Sequence, residues 1–145
     1  MADILQLVSF NLGVEEFAVD IARVQEIVRM PEITKVPHTA EFVEGVVNLR
    51  GKIIPVVDLR KRFRLSASGT SKSTRIIIVS IAGKTVGMIV DAVSEVLRLS
   101  EDAVDVAPEL VTSEIDASFL KGIAKLEGRL LILLELDRIF SPAEA

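Results

Sequence analysis

The chain contains no cysteine, tryptophan or tyrosine, and one histidine, His38. Each gap removes a class of chemistry. Without cysteine there is no disulfide, no thiolate metal site and no cysteine nucleophile. One imidazole cannot build a multi-histidine metal centre. His38 lies in KVPHTAEF, beside a proline and in a predicted loop, and nothing ties it to a serine or threonine as a catalytic base. Without tyrosine or tryptophan, the stacking platforms of single-strand binders are poorly supplied. Basic residues are also in deficit: 17 Lys and Arg against 21 Asp and Glu give a formal charge of -4. That balance argues against nucleic acid and anionic membranes, whose phosphates require concentrated cations. Long apolar runs are missing as well. RIIIVSIAGKTVGMIV comes nearest to the roughly 20 residues of a membrane helix, but Gly83-Lys84 interrupts it. The opening MADILQLVSF has an acid at position 3 and no basic region, unlike a secretory signal. These absences predict a soluble cytoplasmic protein with no cofactor, no metal and no enzymatic activity.

What the chain does have is apolar residues, at 50% of its 145 positions. That is ample for the core of one ordinary domain. LQLVSFNL, EEFAVDI, VVNLR, KIIPVVDL, RIIIVSIA, TVGMIV and RLLILLEL read as short strands, with hairpin turns expected at Gly13 and Gly83. Their continuous apolar character predicts burial on both faces, one inside a small barrel and the other against the second subdomain or a partner. SASGTSKST, residues 66 to 74, is the one small polar stretch and reads as a linker.

The strongest pattern is a repeat. TAEFVEGVVNLRGKIIPVVDLRKRF (39 to 63) aligns without gaps on DASFLKGIAKLEGRLLILLELDRIF (116 to 140). Upstream, FAVDIARVQEIVR (17 to 29) aligns on VGMIVDAVSEVLR (86 to 98), pairing Glu26 with Glu95. Several charges reverse between copies: Glu44 against Lys121, Arg50 against Glu127, and Arg60 against Asp137. The duplication predicts a mainly β domain over 1–145 with two related subdomains, 1–68 and 69–145, divided within 66–74.

Each copy can be read locally. Thr39 and Asp116 are N-cap types, and a helical turn follows, anchored by Phe42 or Phe119 and ended by Gly45 or Gly122. Next come a strand, a turn in which Gly51 or Gly128 supplies positive φ, and a returning strand. Pro55 marks its strand as an edge or a bulge, because proline lacks a ladder donor. Asp58 and Glu135 then open short helices closed by Phe63 and Phe140. In RKRFR (60 to 64), Leu59 and Phe63 would pack inward, leaving Lys61 and its neighbours exposed.

Catalytic patterns are weak. The pairs Glu15–Glu16, Glu101–Asp102 and Glu114–Asp116 fall in predicted turns or helix starts, where acids cap and solubilise. SGTSKST lacks the glycine spacing and the strand-to-helix context of a phosphate loop.

The run VQEIVRMPEITKVPHTAEFVEGVVNLRGKIIPVVDLRKRF (24 to 63), with TVGMIVDAVSEVL (85 to 97), resembles the CheW family of chemotaxis coupling proteins over roughly residues 5 to 140. The resemblance implies two SH3-like, five-stranded β-barrels joined as one CheW-like domain. It implies an adaptor that joins transmembrane chemoreceptors to the histidine kinase CheA, whose regulatory domain shares the fold. One barrel would dock end to end on that domain, and the receptor tip would lie in a groove between barrels. By position, Val24, Arg50, Ile53, Ile77, Val86 and Val96 are candidates for the receptor side. Glu26, Gly45, Arg50 and Gly51 are candidates for the kinase side. Core packing is the competing role for each apolar residue. Arg50, at a predicted hairpin tip, could offer its planar fork to a partner carboxylate. The rival from another class is a small β-barrel that binds nucleic acid.

Overall fold

A computed structural model describes residues 3–37, 43–63, 65, 71–105 and 119–139. His38, Thr39, Phe42, Asp116, Phe140 and most of the expected linker lie outside these residues.

Among the described residues, eleven strands are arranged in two sheets. They are β1 (Ile4–Leu12), β2 (Glu15–Asp20), β3 (Val24–Arg29), β4 (Val43–Leu49), β5 (Lys52–Asp58), β6 (Arg75–Ile81), β7 (Lys84–Val90), β8 (Ala92–Ser100), β9 (Val104–Asp105), β10 (Leu120–Leu126) and β11 (Arg129–Leu134). Short helices α1 (Leu59–Arg62) and α2 (Leu136–Ile139) follow β5 and β11. One sheet runs β3-β6-β7-β5-β4, the other β8-β1-β2-β11-β10-β9. Both curl towards closure. Beyond β3, Thr34 exchanges two backbone hydrogen bonds with Val46 on the opposite edge strand, at 2.9 and 2.8 Å. Beyond β8, β9 does the same for β10. The fold is therefore mainly β, a pair of small barrels, as expected.

The expected division at 66–74 does not match how the sheets are built. Hairpin β1–β2 joins the sheet of β8 to β11, while hairpin β6–β7 joins the sheet of β3 to β5. Each half thus lends its hairpin to the other half's sheet. The junctions are parallel, Val56 beside Gly87 and Leu131 beside Glu16. A parallel pair needs a crossover connection, and the exchange provides one.

Among the described residues the core has three parts. Val47, Ile54, Val56, Ile76, Ile78 and Ile89 fill one barrel. Leu7, Ala18, Ala124, Leu131 and Leu133 fill the other. The largest cluster lies between them and includes Phe10, Phe17, Leu59, Phe63, Ile77, Met88, Phe119 and Ile139. Phe10, Phe17, Phe63 and Phe119 form a ladder of rings with successive centroids 6.1, 5.6 and 5.9 Å apart. Double-faced apolar strands are explained by this arrangement: one face fills a barrel and the other meets its neighbour.

Several local expectations change. Gly45 and Gly122 do not end helical turns; they lie inside β4 and β10, at bulges. A methyl on Gly45 would overlap the Thr34 carbonyl, and one on Gly122 would come within 2.5 Å of Val104 and 2.7 Å of the Asp105 carbonyl. The glycines admit the closing strand of each barrel. Pro55 is not on an edge strand, since β5 lies between β7 and β4. Its missing donor costs nothing there, because Val46 opposite turns both backbone groups to Thr34, and pairing with β7 begins at Val56. Asp58 does cap α1, accepting from the Arg60 amide at 2.9 Å.

Candidate functional site

The tip of hairpin β4–β5 is built by Arg50-Gly51, a two-residue turn between the paired Leu49 and Lys52. Positive φ occurs at both residues, 50° and 84°. That is the type I′ pattern, whose twist suits a hairpin. Arg50 thus bears a left-handed backbone that was expected of Gly51 alone. Asn48 steadies the turn, its Oδ1 accepting from the Gly51 amide at 2.9 Å.

From this tip the Arg50 guanidinium reaches Glu26 on β3, at the far edge of the sheet. Both nitrogens donate: Nη1 to Oε1 at 3.2 Å, and Nη2 to Oε2. Sequence reasoning gave Arg50 an open fork for a partner; in the structure Glu26 occupies it. The arginine hydrogen bond holds the Glu26 carboxyl below its ordinary range, and the carboxylate in turn raises Arg50. The pair stays accessible, with Arg50 70% and Glu26 31% exposed in their side chains. It fixes a charged fork at a defined place on the surface.

The second half repeats this tie with different residues. Glu95, the counterpart of Glu26, binds Arg129, which also approaches Glu16 at 3.4 Å. Arg129 stands where Lys52 stands in the first copy. The reversal of Arg50 to Glu127 is therefore compensated by an arginine two residues further on. Reversed charges at the helices are matched in the same way. Arg60 on α1 pairs with Asp58 at 2.9 Å and with Asp91, just before β8, at 3.0 Å. Asp137 on α2 pairs with Arg23, just before β3, at 2.9 Å. The partners differ in sign as the helix residues do, although they sit at adjacent rather than identical repeat positions, Arg23 aligning with Ala92 and Asp91 with Ala22.

Arg60 was expected on an exposed helix face, and it is buried. Asp58 draws it inward, and the hydrogen bonds to Asp58 raise its pKa further. Lys61 is exposed as expected and reaches Glu44 at 2.5 Å. Arg62 lies over the Phe119 ring, 4.5 Å from its centroid, and donates to the Ile139 carbonyl at 3.0 Å.

The kinase-side candidates Glu26, Arg50 and Gly51 come together at the tip, and Gly45 is buried on β4, where its role is barrel closure. The receptor-side candidates divide. Val24 and Val86 flank Val79 in one row across β3, β6 and β7, half-buried against the central core. Ile53 stands beside the Arg50 tip, 63% exposed. Val96, 59% exposed, is on the edge strand of the other sheet, opposite buried Val8. Ile77 is fully buried in the central core and does not reach the surface. Ile27, its neighbour on β3 and the repeat counterpart of Val96, is exposed and went unnoticed. The signal was the repeat itself.

Among the described residues no group of acids and histidines could hold a metal. No helix is long and apolar enough to cross a membrane, among the residues described. Twinned barrels bearing ionic ties at their hairpin tips are the class of fold that the site defines.

Comparison places that class. A family model described as the CheW-like domain matches residues 6–144. The chemotaxis protein CheW of Rhizobium meliloti is 36% identical over 139 residues, covering 96% of this chain and 89% of that protein. The CheW protein of Thermotoga maritima is 37% identical over 134 residues, covering 92% and 86%. The crystal structure of the scaffolding protein TtCheW from Thermoanaerobacter tengcongensis superposes with a TM-score of 0.89 at 44% identity, covering all of this chain and 92% of that one. The chain belongs to the CheW family, whose members are non-catalytic adaptors and scaffolds of chemotaxis. The nucleic-acid alternative finds no support among these relatives.

Proposed function

We propose that this chain couples transmembrane chemoreceptors to the histidine kinase CheA, working in the cytoplasm and drawn to receptor arrays. The observation that supports this reading most is the match to a scaffold fold along the whole chain, at a TM-score of 0.89. The mechanism is geometric. Two barrels locked through one shared core hold two partners at a set spacing, so that the state of one biases the other. The kinase regulatory domain would meet the tip carrying Glu26, Arg50 and Gly51. The receptor tip would lie along the apolar surface of Val24, Val86 and Val96, with Ile53 at the margin between the two sites.

The test is direct. The folded chain is titrated with a CheA regulatory domain and, separately, with a fragment of a receptor's cytoplasmic tip. Saturable binding of both, and simultaneous binding of the two, is expected. Absence of binding to either partner by folded protein would reject the reading.

A further inference from the structure

Two ionic joints cross the seam between the halves of the chain, and they share a polarity. Arg23 lies in the crossover from β2 to β3 and pairs with Asp137 on α2. Asp91 lies in the crossover from β7 to β8 and pairs with Arg60 on α1. Each crossover residue also holds backbone of the opposite half. Arg23 Nη1 donates to the Ser80 carbonyl at 3.2 Å, and Asp91 Oδ2 accepts from the Gly13 amide at 2.6 Å. In both joints the first half supplies the arginine and the second half the aspartate.

The repeat gives this polarity a consequence. Arg60 and Asp137 occupy the same place in the two copies. Were the first halves of two chains to pair through this seam, Arg23 of one would face Arg60 of the other. Two second halves would set Asp91 against Asp137. A first half against a second half joins unlike charges at both joints. The apolar part of the seam is less selective. Val8 and Ile77, Val19 and Met88, and Leu59 and Leu136 are repeat counterparts, and all lie in the central cluster. Burying such side chains is favourable whichever copy supplies them, because the hydrophobic effect is non-directional. The contact of Arg129 with Glu16, at 3.4 Å, does not choose either, since Lys52 stands in the place of Arg129 in the first copy. Arg23 and Asp137 are too exposed to add much to stability. Like charges opposed across an interface nevertheless reject the wrong partner.

We propose that Arg23 and Arg60 on the first half, with Asp91 and Asp137 on the second, are the charge code by which the halves recognise each other and refuse the same half of a second copy of this chain. The code keeps a duplicated chain closed on itself when its copies are concentrated. It stands independently of the partners proposed above.

The test uses the full chain. Arg23→Asp with Asp137→Arg makes each half self-complementary, while both joints within one chain remain paired. Arg23→Asp alone lowers the thermal midpoint, and adding Asp137→Arg recovers part of the loss. Wild type and double variant are then refolded from urea over a range of concentrations and sized by light scattering. The wild type returns as monomer. The double variant gives about tenfold or more of a dimer that persists on dilution and grows with concentration. One spin label per chain, at Ala22→Cys, identifies the pairing, since the chain has no other cysteine. Pairing of like halves puts two labels in one double barrel, at the separation of residues 22 and 91 in the native chain. Should the double variant misfold, Arg23→Gln with Asp137→Asn removes the repulsion at those positions and gives a smaller rise in the same dimer. A double variant that refolds as monomer assigns the choice to core volume, Phe10 and Phe17 against Val79 and Val86, and overturns the inference. Dimers without the expected label separation, or the same dimers from the wild type, overturn it as well.

Discussion

Arg60–Asp58 and Arg23–Asp137 are the ionic ties of the two short helices, yet they differ in what removing the arginine would do. Arg60 and Asp58 are both buried, so Arg60→Ala strands a carboxylate away from water. A loss of about 3–5 kcal/mol is expected. Arg23 and Asp137 are 37% and 51% exposed in their side chains, and Arg23→Ala should cost about 1 kcal/mol or less. Urea denaturation of both variants checks the contrast. At the hairpin tip, Arg50 holds Glu26 below the usual glutamate value of 4.5. A depressed acid stabilises the fold fully above its unfolded value and loses that contribution as pH falls through the lower folded value. Asp137 follows the same rule through Arg23. Melting curves of wild type and Glu26→Gln should therefore differ most above pH 4.5 and converge in stronger acid.

At the scale of elements, the glycines separate into two kinds. Gly51 and Gly128 turn hairpins, at φ of 84° and 75°, with open space where a methyl would go. Alanine there bears only the left-handed backbone cost, about 1–2 kcal/mol. Gly45 combines a φ of 149° with close approach of the Thr34 carbonyl. Gly45→Ala should cost more, about 2–4 kcal/mol, since strain and overpacking coincide. Thermal melts of Gly45→Ala and Gly128→Ala test the order. Strands β3 and β8 escaped sequence reading because the apolar residues of VQEIVR and AVSEVLRLS do not alternate cleanly. A bulge in each pairing shifts the inward face midway.

For the whole molecule, the exchange of hairpins makes the two halves interdependent. Residues 1–68 lack β6 and β7, which lie in the middle of their sheet, and residues 69–145 lack β1 and β2. Neither fragment should fold alone, whereas a mixture of the two should recover β structure by circular dichroism. Independent folding of either fragment would contradict the shared core. Phe63, central in the ring ladder, joins that core to α1. Phe63→Ala should cost about 3–5 kcal/mol and lower the stability of both barrels in a single transition, observable by hydrogen exchange.

The duplication, the turns at Gly13, Gly51, Gly83 and Gly128, the Asp58 cap and the family pattern were all legible in the sequence. Such features are set within a few residues, by φ preference, capping and alternation. Tertiary structure decided which hairpin joins which sheet, that Ile77 faces the central core while Ile53 stays outside, that Arg60 is buried, and that Arg50 meets Glu26. These choices join residues 24 to 114 positions apart, as in Glu26–Arg50 and Arg23–Asp137. Two copies of one unit satisfy the same local rules whether each keeps its hairpin or lends it. Only packing across the shared core, and the paired reversal of charges around it, distinguishes the two arrangements.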